Sequence, residues 1–216
     1  MSKMNMDTLR ESIHKMLTEK KKRGFTETVE LQIMLKDYDP QKDKRFAGSV
    51  KLPYIPRPKL RICVIGDAAH LEEAKKIEGI ETKDLEGLKA FNKVKKDIKK
   101  WAKKYHVLLC TDSIVKQLTK VLGPILNKIN RFPIAITHAE PLAKKIDEVK
   151  SSVKFQLKKV LCMGTAVANV DMTEEQIRQN ISMSLNFLIS LLKKGWQNIK
   201  TVHVKSTMGK VQRVFG

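Results

Sequence analysis

The residues best equipped for chemistry stand near the end of the chain. Val202 and Val204 alternate with His203 and Lys205, and then come Ser206, Thr207, Met208, Gly209 and Lys210. Hydroxyls both donate and accept hydrogen bonds. A glycine lets another backbone approach closely, and flanking lysines supply charge for phosphates. A second polar set lies on "FTETVELQIMLKDYD", where Thr28 and Glu30 alternate with Val29, Leu31 and Ile33. Polar strand faces of this kind can hold RNA through its backbone and 2′-hydroxyls, with no bond made or broken. The same Thr-Met-Gly run also suits a plain strand end followed by a turn.

Other chemistry finds no purchase. "VIGDAAH" follows a strand and precedes a helix, the place where doubly wound sheets bind nucleotides, but it holds one glycine and neither a G-x-G-x-x-G pattern nor a phosphate-binding lysine. His14, His70, His106, His138 and His203 have no ligand spacing and read as five unrelated histidines. Asp112-Ser113 reads as a helix cap. No serine sits in a G-x-S-x-G elbow, and Trp101 reads as core. Cys63 and Cys110 lie in apolar runs, as buried thiols do, and an odd count of three argues against a disulfide framework. These readings predict no catalytic residue, no metal, no cofactor and no small-molecule substrate.

Charge points to the partner. The 216 residues carry 43 Lys and Arg against 23 Asp and Glu, a net +20. An excess of that size works against the compact state until a polyanion neutralises it. Nucleic acid is the first candidate and an anionic membrane surface the second. The excess is distributed over 13 basic and 8 acidic side chains in residues 1–58, 20 and 12 in 59–150, and 10 and 3 in 151–216, so it belongs to folded segments rather than to a tail. No apolar run is long enough to span a bilayer, and the first residues lack the apolar core of a signal sequence. The expectation is a cytosolic or nuclear protein.

The elements that must position these residues follow from periodicity. Leu9, Ile13, Met16 and Leu17 share one face of a helix over 6–22 that Gly24 stops. The cluster Lys20, Lys21, Lys22 and Arg23 either complements the dipole of that helix or contacts an anion. After the first strand, 41–51 is a basic loop with Lys42, Lys44, Arg45 and Lys51, and "LPYIPRPK" reads as a stiff linker. Residues 59–150 then alternate buried strands (59–67, 106–112, 132–137) with helices at 70–77, 85–104, 113–122 and 140–150, the signature of a parallel, doubly wound sheet. After 150 a half-exposed strand returns in "VKFQLKKVLCMGTAV". A helix capped by Thr173 and Gln176 and closed by Lys193, Lys194 and Gly195 follows. The chain is therefore expected to form an antiparallel α+β domain from 1–58 and 151–216, with an α/β domain, 59–150, inserted between.

"GFTETVELQIMLK", the "STMG" close and the overall length resemble the ribosomal protein L-one family, the universal protein of the mobile stalk on the large ribosomal subunit, along essentially the whole chain. The resemblance is to the eukaryotic cytosolic form, called ten-A in the eukaryotic series. It implies a split βαβ, antiparallel-sheet domain from both termini that binds ribosomal RNA, with a Rossmann-like three-layer α/β domain inserted. Carried over, the RNA contacts are Phe25, Thr28, Glu30, Thr207, Met208 and Gly209. Ser206 is added from its place in the motif, and Lys36, Lys44, Arg45, Lys51, Lys205 and Lys210 from charge and position. Phe25 could equally be core packing.

The resemblance further implies a mechanical role: binding rRNA of the stalk helices near the exit site, among other ribosomal components, and transiently assisting release of deacylated tRNA. It implies a cytoplasmic ribosome location with assembly in the nucleus or nucleolus, no membrane and no enzyme activity. The chain departs from bacterial members after Leu122-Gly123-Pro124, where "ILNKINRFP" replaces a glycine- and proline-rich segment. The competing readings are an RNA-binding translational regulator off the ribosome and a nucleotide-binding enzyme using the inserted domain.

Overall fold

The computed structural model describes residues 4–39, 42–43, 45–129, 131–157 and 160–216. In chain order its elements are α1 (Met6–Thr18), β1 (Thr28–Leu35), β2 (Ala47–Lys51), β3 (Ile62–Ile65), α2 (Ala68–Lys75), β4 (Ile80–Lys83), α3 (Leu85–Lys89), α4 (Lys95–Lys104), β5 (Val107–Thr111), α5 (Asp112–Leu122), α6 (Ile125–Lys128), β6 (Ile134–Ile136), α7 (Leu142–Ser151), β7 (Ser152–Gln156), β8 (Cys162–Asn169), α8 (Glu174–Leu191), a 3-10 turn (Gly195–Asn198), β9 (Ile199–Ser206) and β10 (Gln212–Phe215). They fall into two compact units, Met1–Pro58 with Lys150–Gly216, and Lys59–Val149.

The first unit is built around the alternation in β1. Val29, Leu31, Ile33 and Leu35 are buried, while the residues between them face outward. This is what a strand with one face on a core and one in solvent requires. β8, α8 and β9 form a βαβ crossover whose two strands are separated by one strand's width. β1, from the other end of the chain, fills that gap, giving the sheet order β10-β9-β1-β8. β1 is antiparallel to both neighbours, with Val29 opposite Ser206 and Ala168.

Helices cover only the inner face of this sheet. Leu9, Ile13 and Met16 of α1 and Ile177, Ile181, Leu185 and Leu188 of α8 pack on Val29, Leu31, Ile33, Val202 and Val204. The start of α8 is fixed by the expected capping box, in which Thr173 Oγ1 accepts from Gln176 N–H while the Gln176 side chain accepts from Thr173 N–H. β2 and β7 form a separate two-stranded antiparallel ribbon.

The proline-rich stretch after β2 is docked. Leu52 and Pro56 are buried, and the amide of the buried Asn180 in α8 binds both the N–H and the carbonyl of Tyr54.

The second unit has the parallel sheet β4-β3-β5-β6. Successive side chains point to opposite faces, and both faces are apolar. Cys63, Ile65, Leu108 and Cys110 pack under α3, α4, α5 and α6. Ile62, Val64, Leu109 and Ile136 pack under α2 and α7. The result is the three-layer α/β arrangement expected for the insertion. Burial pushes the thiols of Cys63 and Cys110 up to about 12, so both remain protonated packing groups, as their apolar runs imply.

Four local expectations are corrected. The helix expected over 85–104 is two, α3 and α4, because Asn92 and Lys93 take left-handed φ values of 45° and 59°. Asparagine tolerates that region better than most residues, and the turn lets Phe91 meet Trp101 at 5.8 Å. The strand expected through 153–167 is likewise two, β7 in the ribbon and β8 in the main sheet. α5 begins at Asp112 itself, with Thr111 at the cap position. Ser113 instead donates to Asp67 at 3.0 Å. Finally, α1 ends at Thr18, so residues 20–23 lie beyond the helix rather than in its last turn.

Candidate nucleic-acid interface

β1 starts, and β9 ends, at one edge of the first unit. Two positions there share the inward parity of their strands but are polar. Glu27 continues the series of Val29, Leu31, Ile33 and Leu35 backwards, and Ser206 continues that of Val202 and Val204 forwards. Glu27 is 6% exposed and Ser206 1%. A carboxylate so placed must be compensated by donors, and it is. Ser206 hydrogen-bonds it, Arg23 Nε donates to Oε1 at 2.6 Å, and the Met208 N–H donates to Oε2 at 3.2 Å. The Ser206 bond is the largest of several effects that hold the Glu27 carboxyl below its ordinary range, with the Met208 and Arg23 contacts adding to it against the opposing effect of burial.

This carboxylate anchors the turn after β9. Gly209 N–H donates to the Ser206 carbonyl at 3.2 Å. Thr207 Oγ1 accepts from Thr28 N–H at 3.0 Å and donates to the Thr28 carbonyl at 3.2 Å, extending the β1–β9 pairing by one side chain. The Thr207 hydroxyl therefore locks the two strand ends, and one lone pair remains for an outside donor. Gly209 is required sterically, since a Cβ there would stand 2.3 Å from Ser206 Oγ. With the turn held from behind, Met208 is displayed at 61% exposure.

An open cleft of about 480 Å³ lies beside this turn. Lys20, Lys21, Arg23 and Glu27 line one side, and Ser206, Met208, Gly209 and Lys210 the other. Lys210 stands 3.4 Å from Glu19, both largely exposed; such a pair is worth little and is easily exchanged for a stronger anion. Lys20 and Lys21 have no ion-pair partner among the described residues. The cleft thus offers a hydrogen-bonding turn, an exposed thioether and mobile cations, a set suited to a phosphodiester backbone and its sugars.

The structure brings together some of the expected residues and not others. Thr28, Ser206, Thr207, Met208, Gly209 and Lys210 converge on this edge. Phe25 is 56% exposed and therefore not core. Glu30 and Lys205 are cross-strand neighbours on the open outer face of the sheet. Lys36 follows the far end of β1, where its backbone bonds Asn198. Eight residues of strand put it about 25 Å from the turn. Arg45 and Lys51 belong to the β2–β7 ribbon and its approach, and Lys44 lies outside the described residues.

Glu27 is marked in the sequence only by strand parity, and Lys20, Lys21 and Arg23 only by their charge, which suits a helix end as well as an anion. Histidine spacing along the chain likewise gives no sign of a pair. In the second unit His70 and His138 stack at 4.2 Å with their planes 3° apart, and His70 Nδ1 bonds Thr111 Oγ1 at 2.8 Å. No group that could hold a metal ion is found among the described residues, and none of their helices is long and apolar enough to cross a membrane.

A split βαβ sheet from both termini, interrupted by a three-layer α/β insertion, defines a particular two-unit class of basic protein. The profile of the family described as "Ribosomal protein L1p/L10e family" matches residues 17–210, and the chain belongs to that family. It is similar to the large ribosomal subunit protein uL1 of Oryza sativa subsp. japonica, 59% identical over 217 residues and covering 100% of both chains. It is also similar to uL1z of Arabidopsis thaliana, 58% identical over 217 residues and again covering 100% of both. The protein of the same name from Drosophila melanogaster is 53% identical over 216 residues, covering 99% of each. The resemblance to the eukaryotic form stands on these plant and animal relatives.

Proposed function

We propose that this chain is a constituent of the large ribosomal subunit that holds rRNA of the stalk in the cleft beside the 206–210 turn, and that in this place it assists release of deacylated tRNA from the exit site. The observation that carries the reading is the turn itself: the buried Glu27 carboxylate and the Thr28–Thr207 lock fix Met208 and Gly209 at the rim of a lysine-lined cleft. The role is mechanical. Thr207 and the turn backbone give directional bonds, Gly209 gives close approach, Met208 gives apolar contact, and Lys20, Lys21 and Lys210 supply phosphate contacts whose strength falls with salt. Phe25 adds an exposed ring at the same edge, and Glu30 with Lys205 extends the surface onto the open sheet. The family and its full-length relatives support the ribosomal assignment. The working location is the cytoplasm, with assembly in the nucleus or nucleolus, and no catalysis is involved.

Sedimentation of a cell extract tests this reading. The chain is expected to co-migrate with free large subunits and polysomes, and to leave them when the exposed rRNA is digested with nuclease. A chain found only in the slowly sedimenting fractions, bound to messenger RNA, would place it among translational regulators instead.

A further inference from the structure

The second unit carries a feature that the cleft does not use. Between Asn92 and Tyr105 stand Lys93, Lys95, Lys96, Lys99, Lys100, Lys103 and Lys104, against the single acid Asp97. All seven lysines are exposed, and none of them forms an ion pair among the described residues. α7 in the same unit shows the contrast, since its Lys145 is paired with both Glu140 and Glu148.

Helical geometry sorts these lysines. Ile98, Trp101 and Ala102 are buried and define the inward side of α4. At 100° per residue, Lys96, Lys100 and Lys103 point directly away from that side, and Lys99 and Lys104 flank them. Lys96 and Lys100 are separated by four residues, about 6 Å along the axis, a spacing comparable to that of successive phosphates on one strand. The helix pairs like charges at i,i+4 four times over (95/99, 96/100, 99/103 and 100/104), each pair working against the helix. It is held by its buried side, where Trp101 packs on Tyr105 and Phe91. Such a face is relieved by a polyanion of matching pitch.

We propose that the lysine face of α4 is a second RNA-docking surface, one that binds the phosphodiester backbone of a duplex without regard to sequence. The occupant follows from charge complementarity and from membership of a ribosomal protein family, for which RNA is the polyanion at hand. The surface is independent of the cleft: it lies in the other unit, and its lysines act on a duplex backbone as point charges rather than as a directional pattern. Where the cleft fixes the protein on one RNA by directional bonds, α4 supplies a salt-sensitive contact able to form and release.

The probe is a 20-base-pair RNA duplex of arbitrary sequence, titrated against the full chain at several salt concentrations. Both proteins in the comparison carry Gly209→Val, so that cleft binding is already weakened. One also carries Lys96→Gln, Lys99→Gln, Lys100→Gln and Lys103→Gln. The fourfold replacement relieves like-charge pairs in the helix, and circular dichroism is expected to show an intact fold. With about 0.7–0.9 units of salt slope per phosphate contact, the slope of log K against log salt should fall by about 3, and affinity at moderate salt at least tenfold. Equal slopes and affinities in the two proteins overturn the proposal. So does a polyglutamate of equal charge competing as well as the duplex, which would make the face a general anion exchanger. A failure of the cleft reading shows up separately, as unchanged binding of stalk rRNA by Gly209→Val alone.

Discussion

Replacing Gly209 by valine is expected to weaken binding of the full chain to a stalk rRNA fragment by about 30- to 100-fold while leaving the fold intact. The reason is geometric. Any Cβ at 209 would meet Ser206 Oγ at 2.3 Å, and Ser206 cannot yield easily because it is fully buried and bonded to Glu27. The turn must therefore swing outward, breaking the Gly209-to-Ser206 and Met208-to-Glu27 backbone bonds and placing a branched side chain where RNA would lie. A displaced turn loses its own hydrogen bonds to the RNA, and two such bonds at about 1–1.4 kcal/mol each convert to that range of affinity. Residues 208–210 are exposed, so the N–H groups freed by the swing are hydrated while Glu27 keeps Ser206 and Arg23, and the melting temperature should fall only slightly. Gly164, on the open sheet face with only Gln32 within reach, provides a control: Gly164→Ala should bind as the wild type does. Isothermal titration or filter binding decides the matter, and an unchanged constant for Gly209→Val would remove the turn from the interface.

Glu27→Ala is expected to cost stability as well as affinity. Three donors converge on this carboxylate, and its loss leaves the Ser206 hydroxyl, the Met208 N–H and the Arg23 guanidinium without their shared acceptor. Hydrogen bonds to a charged group contribute about 1.5–3 kcal/mol, so urea unfolding should show a loss of about 2–3 kcal/mol.

The dependence on pH has a definite sign. The ordinary glutamate value is 4.5, and the folded value is lower. The unfolded chain therefore binds the proton more readily than the folded one, and the stabilisation is fully present above pH 4.5. It is lost as pH falls through the depressed folded value. The stability difference between wild type and Glu27→Gln should thus be constant near neutrality and shrink in acid. A difference that instead grows as the pH falls would mean that Glu27 is not held ionised.

Much of this architecture can be read from residues in order, because the physics that sets it is local. The alternation Val29, Leu31, Ile33, Leu35 already specifies a strand with one covered face, and the near-continuous apolar run of β3 specifies one covered on both. The change of rhythm between them marks the insertion. The β1 pairing, by contrast, joins residues far apart in the chain: the return of a half-exposed strand after 150 puts both chain ends in one domain, but the order β9-β1-β8 is visible only in the structure.

What periodicity misses are breaks made by single residues. Asn92 carries no glycine signal, yet its left-handed backbone divides the helix expected over 85–104. Between β7 and β8 the alternation of Val153, Phe155 and Leu157 is interrupted by Lys158-Lys159 and the apolar run that follows, a break that an expectation of one continuous strand overlooks. At the interface, hydroxyls and glycine in the 206–209 run were visible as chemistry. Glu27 was hidden because a charged residue is ordinarily assigned to the solvent side. Its parity gives it away only when the alternation of β1 is followed one step past the strand's start. Charge alone could not separate Lys36, Arg45 and Lys51 from the lysines beside the turn, since cations on the sheet's other end and on a separate ribbon look alike in a linear chain.

Lysine footprinting on the assembled large subunit tests the central claim most directly. Amine acetylation of the chain in intact subunits, compared with the free chain and read by mass spectrometry, reports which lysines RNA covers. Strong protection of Lys20, Lys21 and Lys210 is expected, with Lys36 and Lys51 reacting as they do in the free protein. If the three cleft lysines acetylate at the free rate while Lys36 and Lys51 are shielded, the RNA lies elsewhere on the first unit and the cleft is not its seat.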